Sequence, residues 1–272
     1  MAQTTWDPAQ YLRHAGHRTR PFVDLLAQIP GLPEEPARIA DLGCGPGTVT
    51  ALLADRWPTA AIHGFDNSPE MLADAQKLAR PGSSEHSGSL TFHHADLANW
   101  APGQRYDLIV SNAALQWIPE HTALIPAWIN ALTPGGTFAL QVPGQFTAPS
   151  HQLLYGLCES PRWRERLSGE ADRHASVLTA PGYLELLAGL GCEVNAWETT
   201  YAQLLPGQDA VLDWTKGTTL RSVLAALAGN PADRDAFLAE YRDLLREAYP
   251  AGPHGTVYPF RRIFAIATVT KA

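Results

Sequence analysis

The segment Asp41-Leu42-Gly43-Cys44-Gly45-Pro46-Gly47 constrains this chain more than any other. It follows the short apolar run Arg38-Ile39-Ala40. It precedes Val49, Leu52, Leu53 and Trp57, which fall at i, i+3, i+4 and i+8 on one helical face. A strand that passes through three close glycines into a helix must bend sharply, and it brings bare main chain close to whatever lies above the bend. The alternation then repeats. Residues 61–66 read as a second strand, and Ser68-Pro69 opens a helix with a cap serine and a proline at the first helical position. Residues 90–94 and 106–110 read as strands three and four. Leu124, Ile125, Trp128, Ile129 and Leu132 form a helical stripe stopped by Pro134-Gly135-Gly136, and 137–142 is strand five. Strands alternating with helices predict a doubly wound, mostly parallel α/β sheet, whose ligands bind at the carboxyl ends of the strands where strand order reverses.

The second half is less regular. A helix over 183–190 ends at Gly191, a strand runs from 192 onward, helices cover 208–227 and 231–248, and a last strand covers 263–269. The polar, Arg-rich stretch around Trp163 reads as helical elaboration, and residues 82–89 read as a surface loop. Residues 1–20, 145–180 and 208–250 are expected to form a helical cap on a single domain spanning 1–272.

Lys and Arg number 20 against 27 Asp and Glu, a formal net charge of −7. That balance, without a basic stripe interleaved with aromatics, argues against nucleic-acid and anionic-membrane partners. Cys44, Cys158 and Cys192 have neither metal-ligand spacing nor a disulfide framework, so no metal is expected and a reducing compartment suits the chain. The N-terminal residues lack the basic and apolar blocks of a signal peptide. The longest clean apolar stretch, 263–269, is too short to cross a bilayer. A cytoplasmic protein, monomeric or weakly homo-oligomeric, is the expectation.

Acids decide what the glycine bend can hold. In the dinucleotide motif G-x-G-x-x-G a third glycine stands where this chain has Thr48, and Pro46 removes one loop N–H. Asp41 at the strand end would repel phosphate and suits an ammonium or sulfonium group. Asp66 ends the second strand about 20 residues after the glycines, where an acid accepts both hydroxyls of a ribose. Asp96 follows the third strand, placed to meet an adenine edge, and Asn112 ends the fourth. Singly, each reads as a helix cap or turn former. Four at the ends of four consecutive strands read as a binding site.

This constellation resembles the class I methyltransferases that use S-adenosylmethionine (SAM). Trp6-Asp7-Pro8, Tyr11, Arg18-Thr19-Arg20-Pro21, the glycine segment, Leu115-Gln116-Trp117, Gly191-Cys192-Glu193-Val194, Asp213-Trp214, Leu220-Arg221 and Phe260 with Arg262 together resemble the trans-aconitate 2-methyltransferase family over nearly the whole chain. The 82–89 loop looks like an insertion, Arg261 stands where that family tends to have proline, and 145–180 matches weakly.

The resemblance implies a Rossmann-like, seven-stranded fold with a helical cap. It implies methyl transfer from SAM to one carboxylate of trans-aconitate, a small polycarboxylate, leaving a monomethyl ester and S-adenosylhomocysteine. Tyr11, Arg20, Asp41, Gly43, Gly45, Asp66, Asn67, Asp96, Leu97 and Asn112 are the cofactor candidates. Tyr11 and Arg20 are assigned to the methionine carboxylate. Arg18, Arg221 and Arg262 are the candidates for the acid, because a guanidinium grips a carboxylate with two bonds. Trp117 would wall the pocket and Tyr258 would donate a phenolic hydrogen bond. A carboxylic acid is already ionised at pH 7, so no general base is needed and His93, His94 and His121 read as strand or loop histidines. Catalysis is then positioning. Trp163 and Trp214 read as packing, Lys216 as surface charge. A methyltransferase acting on another small acid or a phenol, a nicotinamide-dependent oxidoreductase, and a non-catalytic SAM-binding protein are the competing readings. Thr48 and Asp41 disfavour the oxidoreductase.

Overall fold

The computed structural model describes residues 15–82, 88–170 and 177–270, the side chains of 15, 17 and 18 excepted. Strands β1 (Arg38–Leu42), β2 (Ala61–Asp66), β3 (Ser89–His94), β4 (Tyr106–Asn112) and β5 (Leu132–Pro143) alternate with helices α1 (Ala15–Gln28), α2 (Thr50–Arg56), α3 (Pro69–Ala75) and α4 (His121–Asn130), except that β3 leads to β4 without a helix. Then come α5 (Pro149–Cys158), α6 (Arg164–Leu167), α7 (Ala180–Gly189), β6 (Cys192–Leu205), α8 (Ala210–Lys216), α9 (Arg221–Ala226), α10 (Pro231–Ala248), β7 (Ala251–Gly252) and β8 (Gly255–Val269).

The sheet order is β3-β2-β1-β4-β5-β8-β6, with the two-residue β7 pairing antiparallel to β8. Strands β1 to β5 pair in parallel, Ile39 lying beside both Ile62 and Leu108. Order reverses between β1 and β4, which places the switch point at the end of β1, where the glycines begin.

Local chemistry sets several helix starts. Ser68 accepts the Met71 N–H at 3.3 Å ahead of Pro69, Thr179 accepts Gly182 at 3.3 Å ahead of Pro181, and Asn230 accepts Asp233 at 3.2 Å ahead of Pro231. The stretch read as one helix over 208–227 is two, broken at Gly217-Thr218-Thr219, where a glycine closes α8 and β-branched residues resist continuation. Strand β8 begins at Gly255, ahead of the expected 263, and β6 runs to Leu205.

By contact the described residues form two compact units. One comprises 143–170 and 199–262, the other 15–82, 88–142, 177–198 and 263–270. The first has a core of Trp163, Trp214, Phe237, Tyr241, Tyr258 and Phe260. In the second, Ile109, Phe138, Leu140 and Ala265 pack with Ile125, Trp128, Tyr183 and Leu187 from α4 and α7. Among the described residues, no helix is long and apolar enough to cross a membrane.

Candidate active site

Each glycine of the bend has its own reason. Gly43, Gly45 and Gly47 have φ of 82°, 54° and 77°, the left-handed region that costs other residues about 1–2 kcal/mol. A Cβ on Gly43 would lie 2.2 Å from the Cβ of Ala114, and one on Gly47 would lie 2.8 Å from the Phe92 ring. Gly45 is different, because a Cβ there would meet nothing within 4 Å. Its main chain borders open space, where a ligand can approach.

The bend offers that ligand no anion cradle. The Gly43 and Cys44 N–H groups donate to the Phe65 carbonyl at 2.8 and 3.0 Å, and Gly47 donates to Cys44 O at 3.1 Å. Gly45 N–H donates to Asp66 Oδ2 at 2.9 Å, while Asp66 Oδ1 accepts from Ser68 N–H at 2.9 Å. Pro46 has no N–H. Four of the bend's N–H groups, those of Gly43, Cys44, Gly45 and Gly47, are therefore turned to the protein's own acceptors rather than to an anion.

Asp41 is the second electrostatic feature. It is 1 % exposed, and Oδ2 accepts a 2.7 Å hydrogen bond from Thr50, whereas Oδ1 is buried with no hydrogen-bond partner. Burial raises its pKa from 3.8 to about 7, against the Thr50 hydrogen bond and with help from the negative charge of Asp66. A buried, half-satisfied carboxylate is costly, and a ligand carrying positive charge or N–H donors would relieve that cost. Cys44 is buried beside the same two acids, and its thiol is held protonated.

The end of β4 adds more acceptors. Asn112 Oδ1 is buried without a partner. Ala113, next in line, has φ of 55°, a strained conformation for a residue with a side chain. Gln116 Nε2 donates to the Ala113 carbonyl at 2.6 Å, and Gln116 Oε1 is also buried without a partner. Reading the sequence gave Gln116 no role. Its only signal was its place in Leu115-Gln116-Trp117. Leu97 is buried, 3.8 Å from the space a Gly43 Cβ would take. Asp96 is exposed and engages its own turn, accepting from Ala98 N–H at 3.0 Å and Asn99 Nδ2 at 2.9 Å. Asn67 is exposed and Trp117 is 41 % exposed. Asp41, Gly43, Gly45, Asp66, Leu97 and Asn112 thus share the carboxyl ends of β1, β2 and β4 and the turn after β3.

The candidates for the acid lie elsewhere in the chain. Arg262 is 5 % exposed, with its guanidinium 4.3 Å from the centre of the Phe260 ring. Tyr258 is buried, its hydroxyl 3.2 Å from Ser150 Oγ. Burial pushes its pKa up to about 12, so the phenol keeps its proton at neutral pH and stays a donor. Arg221 opens α9 and is half-buried. These three belong to the same compact unit. Arg20 is exposed on α1. Tyr11 and the side chain of Arg18 lie outside the described residues. His121 is buried between Tyr183 OH at 2.7 Å and Ile118 O at 2.9 Å, a structural histidine. Trp163 and Trp214 are core residues, and Lys216 pairs with Asp213 at 2.9 Å.

A family model described as a methyltransferase domain matches residues 39–136, the stretch that carries the bend, Asp66, Asp96 and Asn112. A trans-aconitate 2-methyltransferase from Streptomyces coelicolor is 63 % identical over 97 % of this chain and 86 % of its own length. One from Streptomyces avermitilis is 59 % identical over 98 % of this chain and 97 % of its own. Among solved structures, the YcgJ protein of Bacillus subtilis is 15 % identical, covers 94 % of this chain and 100 % of its own, and has a TM-score of 0.55, a likeness of fold. With identity of this order along nearly its whole length, the chain belongs to the trans-aconitate 2-methyltransferase family.

Proposed function

We propose that this chain transfers the methyl group of SAM to a carboxylate of trans-aconitate, giving a monomethyl ester and S-adenosylhomocysteine. One observation carries the cofactor half of this reading. The glycine bend has its loop N–H groups engaged internally and presents buried acceptors without partners, Asp41 Oδ1 and Asn112 Oδ1, beside open main chain at Gly45. A ligand with an ammonium and a sulfonium fits these buried acceptors better than a phosphate does. The acid follows from the relatives' shared name at 63 % and 59 % identity.

When bound, SAM supplies an electrophilic methyl on a positively charged sulfur. Everything else falls to the chain. Asp41 and Asn112 accept hydrogen bonds from the ammonium, and Asp66 accepts the ribose hydroxyls while its two hydrogen bonds fix the loop. Asn67, Asp96 and Leu97 border the adenosine, Leu97 as an apolar floor. Gly43 and Gly45 let the ligand lie against the main chain, and Tyr11 and Arg20 hold the methionine carboxylate. Arg18, Arg221, Arg262 and Tyr258 supply donors to the carboxylates of the acid, and Trp117 gives an apolar wall. The acceptor is ionised at neutral pH, so no side chain takes a proton. What these donors contribute is orientation and charge balance.

The test is direct. The protein is incubated with methyl-labelled SAM and a panel of di- and tricarboxylates, and base-labile methyl ester is counted. Trans-aconitate should be the best acceptor. Label on a phenol or amine and on none of the acids would end the proposal.

A further inference from the structure

A second cluster of ligand atoms stands on the outer strands, apart from the bend. Register places His63 of β2 beside Thr91 of β3, and Phe65 beside His93, so all four side chains share one face of the sheet's terminal strand pair. His63 Nδ1 and His93 Nε2 are 3.2 Å apart. Thr91 Oγ1 is 3.0 Å from each of them. The Phe65 ring stacks on His93 with centroids 5.3 Å apart and is itself backed by Trp100 at 5.2 Å. His93 is exposed and His63 is half-buried, so an ion can reach both.

The three polar atoms lie within hydrogen-bond distance of one another, so they converge on one small region of the sheet face. Two nitrogens on one tetrahedral ion, each at about 2.0–2.1 Å, lie roughly 3.3 Å apart. The His63–His93 separation is already within about 0.2 Å of that value. Both rings come from neighbouring strands and so bring little flexibility to the site. No group of three or more His, Cys, Asp or Glu side chains that could hold a metal occurs among the described residues, so water must fill the remaining positions.

We propose that His63 and His93 form a binding site for a late first-row divalent cation, Zn2+ or Cu2+, with the Thr91 hydroxyl as the third polar group at the ion. Imidazole suits these ions, and Cu2+ binds most strongly in the series, which makes it the sharper probe.

The experiment uses the full-length chain without an affinity tag. Cu2+ is titrated by calorimetry, and the bound ion is examined by electron paramagnetic resonance. One ion should bind, with superhyperfine splitting from two nitrogens, and Zn2+ should displace it. His63→Ala and His93→Ala should each weaken binding at least about tenfold, the lower end of the loss that even an outer-sphere partner causes. The splitting should fall to one nitrogen. His94→Ala, one residue along on the opposite face, should leave affinity and spectrum unchanged. Thermal melts of each variant separate lost binding from lost fold. Equal affinity in wild type, His63→Ala and His93→Ala would overturn the site, as would a spectrum with fewer than two nitrogens or loss of binding on His94→Ala.

Discussion

Asp41→Asn tests the electrostatics of the bend most sharply, because two measurements should move in opposite directions. Asp41 is 1 % exposed and its pKa is raised from 3.8 to about 7. A group raised on folding binds its proton more tightly in the folded state, so stability falls as pH rises from about 4 to about 7 and then levels off. At ~1.4 kcal/mol per pH unit, keeping this carboxylate ionised costs about 4 kcal/mol above pH 7. The asparagine removes that cost and keeps the Thr50 hydrogen bond, but leaves an amide N–H group unsatisfied at about 1–3 kcal/mol. Without ligand, the variant should therefore be more stable than wild type at pH 8 by roughly 1–3 kcal/mol, a melting shift of about 2–4 °C per kcal/mol. Between pH 5 and pH 8 it should gain about 2–3 kcal/mol on wild type. SAM affinity, read by calorimetry at pH 8, should drop roughly ten- to a hundred-fold for loss of a charge-assisted hydrogen bond. Wild-type affinity should weaken as pH falls below about 7, where Asp41 takes up its proton, and the variant should show no such slope. A stability gap that is the same at pH 5 and pH 8, or unchanged SAM affinity, would refute the reasoning.

Three further outcomes follow from the same geometry. Asp66→Ala deletes the acceptor of both the Gly45 and Ser68 N–H groups, so calorimetry should show weaker SAM binding and melts should show a loss of about 1–3 kcal/mol; unchanged affinity removes the ribose assignment. Arg262→Ala should raise the KM for the acid at least about tenfold with SAM affinity nearly intact, as expected for one guanidinium–carboxylate contact. Damage to SAM binding instead would mean that this arginine serves the cofactor. Gln116→Ala releases the carbonyl of the strained Ala113, which should weaken SAM binding, and Gln116→Asn, too short to reach it, should not rescue; an unaffected Kd would make the clamp incidental to the site.

Much of the fold was readable because burial dictates residue pattern. The parallel strands β1 and β4 are largely buried runs, β2 alternates, and the Ser68-Pro69 start is a working cap. The early half of β8 is hidden in the sequence because Pro259 demotes a strand reading and Arg261 and Arg262 interrupt the apolar pattern. The split at Gly217 was missed because apolar spacing on either side of it fits one continuous helix.

The site divides similarly. Asp41 and Asp66 were legible because a strand end fixes where an acid must sit. Asp96 was legible only as a position, since its carboxylate engages its own turn. Gln116 was not legible, because its role depends on the left-handed backbone of Ala113, and nothing in an alanine announces that conformation. The arginines are proposed on chemistry alone, and the placement of guanidinium groups depends on long-range packing that no local pattern records.

The internally bonded bend has a consequence for life among crowded metabolites. Nucleotides such as ATP and NAD share the adenosine that this site would receive, yet each must seat a polyanion beside a bend whose Gly43, Cys44, Gly45 and Gly47 N–H groups are already engaged and where two acids stand. On the proposed reading, a preference against phosphate would lie in the resting main chain itself, before any substrate arrives.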